Sequence, residues 1–181
     1  MFDVLIRGGE IIDGTGAPRY TADIAIKGDS IVAIGQALEG EASQTIDASG
    51  KVVSPGFIDL HSHADFSFFI DPDADSKITQ GVTLEYVGNC GISFCAPLIG
   101  ASVNDMNTRK AWYDTDWEPD WTTFDGYLNA LSKNGSTLNI ATQVGHGTVR
   151  QAVMGMETRA PSSEEIKRMQ VLVAESLDAG A

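Results

Sequence analysis

The stretch Pro55-Gly56-Phe57-Ile58-Asp59-Leu60-His61-Ser62-His63 decides how this chain is read. A proline and a glycine close whatever precedes, and a short apolar run then ends on two histidines spaced i and i+2. On extended backbone side chains alternate between faces, so residues two apart point to one side and both imidazoles can reach a single cation. The chain has only 3 histidines in 181 residues, and two of them are spent here. In parallel α/β sheets, ligands gather at the carboxyl ends of strands, which is where this pair stands.

The same grammar continues downstream. Val82 to Gly88 and Thr137 to Gly145 read as further strands, with a short helix over 71–80 and another from Thr123 to Lys133. Pro161-Ser162-Ser163-Glu164-Glu165 is a helix start with an acidic first turn, and Ile166, Met169, Val173 and Leu177 predict its core-facing stripe. Strand followed by helix, repeated, predicts a parallel α/β sheet. Cys90 ends the second strand in Gly88-Asn89-Cys90-Gly91, and His146 closes the third in Gly145-His146-Gly147. If the strands are neighbours, the Cys90 thiolate joins His61 and His63, and sulfur with imidazole suits zinc. A cysteine is also an ordinary buried residue, so a packing role for Cys90 stays open. Asp59, Asp65, Asn89 and His146 are candidates for orienting the ligands, with strand-end capping as the alternative for the aspartates. Cys95 reads as core. Asp71, Asp73 and Asp75 alternate like a calcium loop but lack its glycine and its glutamate, and read as a solvated turn. Trp112, Trp117 and Trp121 form either a pocket lid or a satellite core.

Upstream, the runs FDVLIRG, EIID, DIAIKG, SIVAIG, TIDA and KVVS alternate and are punctuated by turn residues, which predicts small antiparallel sheets. The division is therefore a β-rich lobe over 1–55 and an α/β part over 56–181.

With 12 basic against 25 acidic residues the net charge is −13, which excludes phosphate-neutralising nucleic-acid binding. The start, with Asp3 and no long apolar run, is not a signal peptide, and the least polar stretch is interrupted by Pro97 and Gly100. A cytoplasmic protein with no membrane partner and two free thiols is the expectation.

Asp3-Val4-Leu5-Ile6-Arg7-Gly8-Gly9, Ile12-Asp13-Gly14-Thr15-Gly16, Ile46-Asp47-Ala48 and the Pro55–His63 stretch resemble the N-terminal third of the amidohydrolase superfamily. Gln80-Gly81-Val82-Thr83, Gly88-Asn89-Cys90-Gly91-Ile92-Ser93 and Val144-Gly145-His146-Gly147-Thr148-Val149-Arg150 are similar to its N-acyl-D-amino-acid deacylase (D-aminoacylase) group. The resemblance implies an α/β fold. An N-terminal β-sandwich lobe would be followed by the first strands and helices of a TIM-like (β/α)8 metal-dependent hydrolase barrel, incomplete here. It implies Zn2+ held by His61, His63 and Cys90, with further histidines and the general-base aspartate beyond residue 181. The implied substrate is a small N-acylated amino acid. The alternatives are a non-catalytic metal-binding half that needs a partner and a cyclic-amide hydrolase of the same superfamily. An incomplete barrel implies self-association through unpaired strand edges.

Overall fold

A computed structural model describes residues 1–181 and divides them into two compact units, Met1–Pro55 and Gly56–Ala181. The first unit is one sheet of five strands: β1 (Phe2–Ile11), β2 (Tyr20–Lys27), β3 (Ser30–Gly35), β4 (Ala42–Asp47) and β5 (Val52–Val53). Its order is β3-β2-β1-β4, with β5 also on β1. The expectation of small antiparallel sheets is corrected: β1 pairs antiparallel with β2 but parallel with both β4 and β5. The two runs around Arg7-Gly8 are one ten-residue strand with a register shift between Ile6 and Gly9. Alternation specifies a strand's faces but not its partner, and here the partner of β1 comes from 40 residues downstream. The carboxylate of buried Asp23 fixes the irregularity, accepting from the Gly8 amide at 2.8 Å, the Leu38 amide at 3.1 Å and Arg7 Nη1 at 3.1 Å. Register places Ile46, Ile6, Ile24 and Ile34 side by side across β4, β1, β2 and β3. Ile24 is buried, whereas Ile34 and Ile46 are 47% and 41% exposed.

The second unit has a parallel sheet in the order β6 (Phe57–Asp59), β7 (Val82–Val87), β8 (Asn139–Thr142). Helices α1 (Asp75–Ile78), α2 (Ser102–Lys110), α3 (Phe124–Asn134), α4 (His146–Met154) and α5 (Ser163–Ala179) surround it. Phe66, Phe68, Val87, Cys95, Trp121 and Tyr127 belong to the core cluster. Trp117 stacks on Phe69, and Trp121 donates its indole N–H to the Cys95 carbonyl at 2.7 Å, so these two tryptophans are core while Trp112 is 67% exposed. Thr123 caps α3 by accepting from the Gly126 amide, and Ser162 and Glu165 form a reciprocal capping box on α5. No helix is long and apolar enough to cross a membrane.

Two expectations are corrected, and α2, with Met106 its only large buried side chain, is a helix the sequence reading did not single out. β8 stops at Thr142, so His146 does not close a strand but opens α4. The stripe of α5 is only half covered: Met169 and Val173 are half-buried but Ile166 and Leu177 are 42% and 57% exposed, while Ser176 is buried and Ala179 packs on the core cluster.

Candidate metal centre

His61, His63 and Cys90 come together. One donor atom from each lies within 4.8 Å of the others, and His61 Nε2 is 3.1 Å from Cys90 Sγ. Tetrahedral zinc, with bonds of roughly 2.0–2.3 Å, places its ligand atoms about 3.3–3.8 Å apart, so the cluster needs only small adjustment to close on one ion. Two neutral imidazoles and a thiolate are a borderline-soft donor set, which fits zinc and not calcium or magnesium. Burial, then the charges of His61 and Arg109, hold the His63 imidazole below its ordinary pKa, which keeps it unprotonated for ligation.

The parallel pairing β6-β7 is what unites residues 27 positions apart. Asn89 locks it: its side-chain amide donates to the Tyr86 carbonyl at 2.7 Å and the Ser62 carbonyl at 3.2 Å, and its oxygen accepts from Gln143 at 3.3 Å. Asn89 thus ties the residue between the two histidines to the residue before Cys90. Cys90 itself adopts a left-handed conformation, φ +58°. A non-glycine residue there costs on the order of 1–3 kcal/mol, and such strain persists only where surrounding structure over-determines it. The determinants are backbone contacts. Gly88, at φ +81°, passes so near Gln143 that a Cβ would meet its carbonyl at 2.2 Å, and a Cβ on Gly145 would meet Ser93 N at 2.5 Å and Gly91 at 2.6 Å. Ser93 completes the brace, its amide donating to Thr148 Oγ1 at 2.9 Å and its hydroxyl accepting from the Gly145 amide at 3.0 Å.

Asp59 is committed elsewhere. Its carboxylate accepts from the His61 amide at 3.1 Å and pairs with Lys77 Nζ at 2.5 Å, which holds its pKa below the usual range. Lys77 also lies 2.7 Å from buried Glu85. Asp65 is buried: one oxygen accepts from the Phe94 amide at 3.2 Å, the other has no hydrogen-bond partner, and burial pushes its carboxyl up to about 7. His146 is not in the cluster and lines an apolar groove with Val149, Ile166, Met169 and Val173. Cys95 is fully buried, and burial raises its thiol well above the ordinary value; neither cysteine is in a disulfide. A cavity of about 710 Å³ beside Trp117 and α3 lies apart from the donors, whereas His63 borders one of about 350 Å³ with Ser67, Lys77, Glu85 and Tyr113. Sequence reasoning missed Lys77, Glu85, Ser93 and Thr148. The glycine spacing of residues 88–93 and 145–148 was the available signal, since two glycine-rich turns on neighbouring strands can dock backbone to backbone.

A parallel strand and helix unit with side-chain donors converging beyond its strand ends defines the class: an α/β protein whose chemistry lies at the carboxyl edge of the sheet. The chain belongs to the amidohydrolase family, whose sequence profile matches residues 44–181. This bears out the family resemblance carried by the motifs. The chain is 40% identical over 180 residues to the N-acyl-D-glutamate deacylase of Alcaligenes xylosoxydans xylosoxydans, an alignment covering 99% of this chain and 36% of the relative. The crystal structure of a D-aminoacylase superposes with a TM-score of 0.85 at 39% identity, covering 100% of this chain and 37% of that one. An N-acyl-D-glutamate deacylase from Bordetella bronchiseptica, solved with zinc and a phosphonate inhibitor, superposes at 0.82 with 36% identity, covering 98% and 36%. The chain therefore spans about a third of the length of these relatives.

Proposed function

We propose that this chain carries the first part of a zinc-dependent hydrolase of linear amide bonds, which converts N-acyl-D-amino acids to a carboxylate and a D-amino acid. The observation that carries the reading is the convergence of His61, His63 and Cys90 within 4.8 Å. Zinc bound there supplies Lewis acidity, polarising the acyl carbonyl and activating water. His61 and His63 contribute neutral nitrogen donors and Cys90 a thiolate, while Asn89 and the Asp59 contact to the His61 amide keep the donors in place. The general base belongs, by the family resemblance, beyond residue 181.

In the same reading, residues 56–181 are the opening strands and helices of a TIM-like barrel, and residues 1–55 are one sheet of a β-sandwich. The half-exposed isoleucine row on β3 and β4 supports the second point, because an apolar sheet face calls for a facing layer. A non-catalytic metal-binding half that needs a partner is the second reading, favoured by the chain spanning about 36% of its relative's length. The test is release of free amino acid from N-acetyl-D- and N-acetyl-L-amino acids, with and without chelator, by a protein of the relatives' full length that carries these residues. Chelator-sensitive turnover of the D-enantiomers is expected. Equal turnover of both enantiomers, or turnover indifferent to chelator, would contradict the assignment, and chelator-sensitive turnover by the 181-residue chain alone would overturn the incomplete-barrel reading.

A further inference from the structure

We propose that Phe94 is a positioning residue of the candidate metal centre, its ring fixing the direction of the His63 imidazole, an inference that rests on reading His61, His63 and Cys90 as zinc ligands. A ligating histidine is ordinarily aimed by a hydrogen bond from its second ring nitrogen to a carboxylate or a carbonyl. The ring of His63 makes no hydrogen bond within this chain, and its ring contacts are aromatic. Phe94 meets it edge-on with ring centres 5.9 Å apart and an interplanar angle of 60°, and His61 lies at 5.6 Å and 69°. His63 also stands beyond Asp59, where β6 ends, so no strand ladder holds it.

Phe94 suits that task because it is itself held on several sides. It is buried, its amide donates to the carboxylate of buried Asp65 at 3.2 Å, and the Asp65 carbonyl accepts from the Tyr127 hydroxyl at 2.8 Å. The residues on either side are tied as well, Ser93 through its amide to Thr148 and Cys95 through its carbonyl to the Trp121 indole. The face of the Phe94 ring is covered by the Arg109 guanidinium, whose carbon lies 4.2 Å from the ring centre. With its backbone and one face both fixed, the edge turned to His63 has little room to swing.

The arrangement couples two donors. Phe94 follows Cys90 in the same turn, Cys90-Gly91-Ile92-Ser93-Phe94, so the segment that brings the thiolate to the centre also brings the ring that aims an imidazole from beyond β6. An imidazole already pointing at the ion loses less freedom on binding it. Immobilising one such side chain at the moment of binding changes affinity by about two- to tenfold, and an edge-to-face pair contributes on the same scale beyond the area it buries.

The experiment compares wild type with Phe94→Leu, which keeps an apolar group but loses the ring, and with Phe124→Leu, which removes a buried ring that meets Tyr127 instead of His63. Zinc affinity, measured by competition with a chelator, should fall about two- to tenfold in Phe94→Leu. With cobalt in place of zinc, the d–d bands of that variant should shift while the thiolate-to-cobalt charge-transfer band persists. Phe124→Leu should lower the denaturant midpoint and leave zinc affinity and the cobalt spectrum as in wild type. In the metal-free wild-type chain, proton NMR should show contacts between the ring protons of His63 and Phe94, and unequal couplings to the two His63 β-protons that become averaged in Phe94→Leu. A wild-type zinc affinity and cobalt spectrum in Phe94→Leu, or an equal fall in Phe124→Leu, overturns the proposal, as do averaged His63 couplings in the wild type. A wild-type chain that takes no zinc yet keeps the ring contact and the unequal couplings would sink the metal reading and leave the placing of His63 by Phe94 standing.

Discussion

The amide of Gly147 donates to the carbonyl of Gly91 at 2.7 Å, joining the first turn of α4 to the turn that carries Cys90. That bond, with the Ser93 and Thr148 contacts beside it, makes the left-handed Cys90 conformation tenable. The geometry of the cysteine is thus set from a segment 55 residues downstream.

Gly145→Ala should therefore damage the centre without touching a donor. The added methyl group meets backbone atoms of Gly91 and Ser93, which cannot rotate away. Urea denaturation should show a loss of about 1–3 kcal/mol, the usual cost of overpacking, and zinc affinity should fall with it. Unchanged stability would mean that the two turns are not in contact.

Cys90→Ala removes the thiolate and should lower zinc affinity by at least about a hundredfold, measured by competition with a chelator. His146→Ala, outside the cluster, should leave that affinity within a few-fold of wild type. A reversed order of effects would remove the assignment of the centre.

Lys77→Met should destabilise the second unit by roughly 3 kcal/mol or more, because it strands the buried Glu85 carboxylate and the partly buried Asp59. The double variant Lys77→Met with Glu85→Leu should recover part of that loss, since the fully buried carboxylate is gone and only the partly exposed Asp59 is left without its partner. Denaturant midpoints of the two variants decide the matter; a double variant no better than the single would show that the pair is not the cause.

The cap of α5 sets a pH dependence. Arg159, then the Ser162 amide, lower the Glu165 carboxyl from its ordinary 4.5 to about 2. A carboxyl held lower in the folded state contributes stability that is fully present above 4.5 and lost as pH falls toward 2. Wild type should therefore exceed Glu165→Gln in thermal midpoint at pH 7, and the gap should close between pH 4.5 and 2. A gap constant with pH would contradict the charged cap.

Exposed apolar residues on both sheets predict self-association of the 181-residue chain. Ile34 and Ile46 lie on the first sheet, and Phe57 and Ile58 on the edge strand β6 of the second are 61% and 56% exposed. Light scattering should report species larger than a monomer that diminish in Ile34→Lys with Ile58→Lys. A stable monomer at high concentration would show that these faces need no partner.

Much of this was legible without coordinates. The period-two runs gave the strands, the acidic helix start at Ser162 to Glu165 gave α5, and the pair at His61 and His63 named its own chemistry, because alternation on a strand is a local property that two residues suffice to express. The sequence by itself determined the donor types, the strand on which two of them stand and the start of the cap on α5. Tertiary structure alone decided the rest. It chose β4 and β5 as parallel partners of β1, left the ends of the α5 stripe exposed, sent His146 into a helix, drew Lys77 between two carboxylates, and bent the Cys90 backbone toward the histidines. Each of these depends on a neighbour supplied from far along the chain, and the free energy of such a contact is written in neither partner's local pattern.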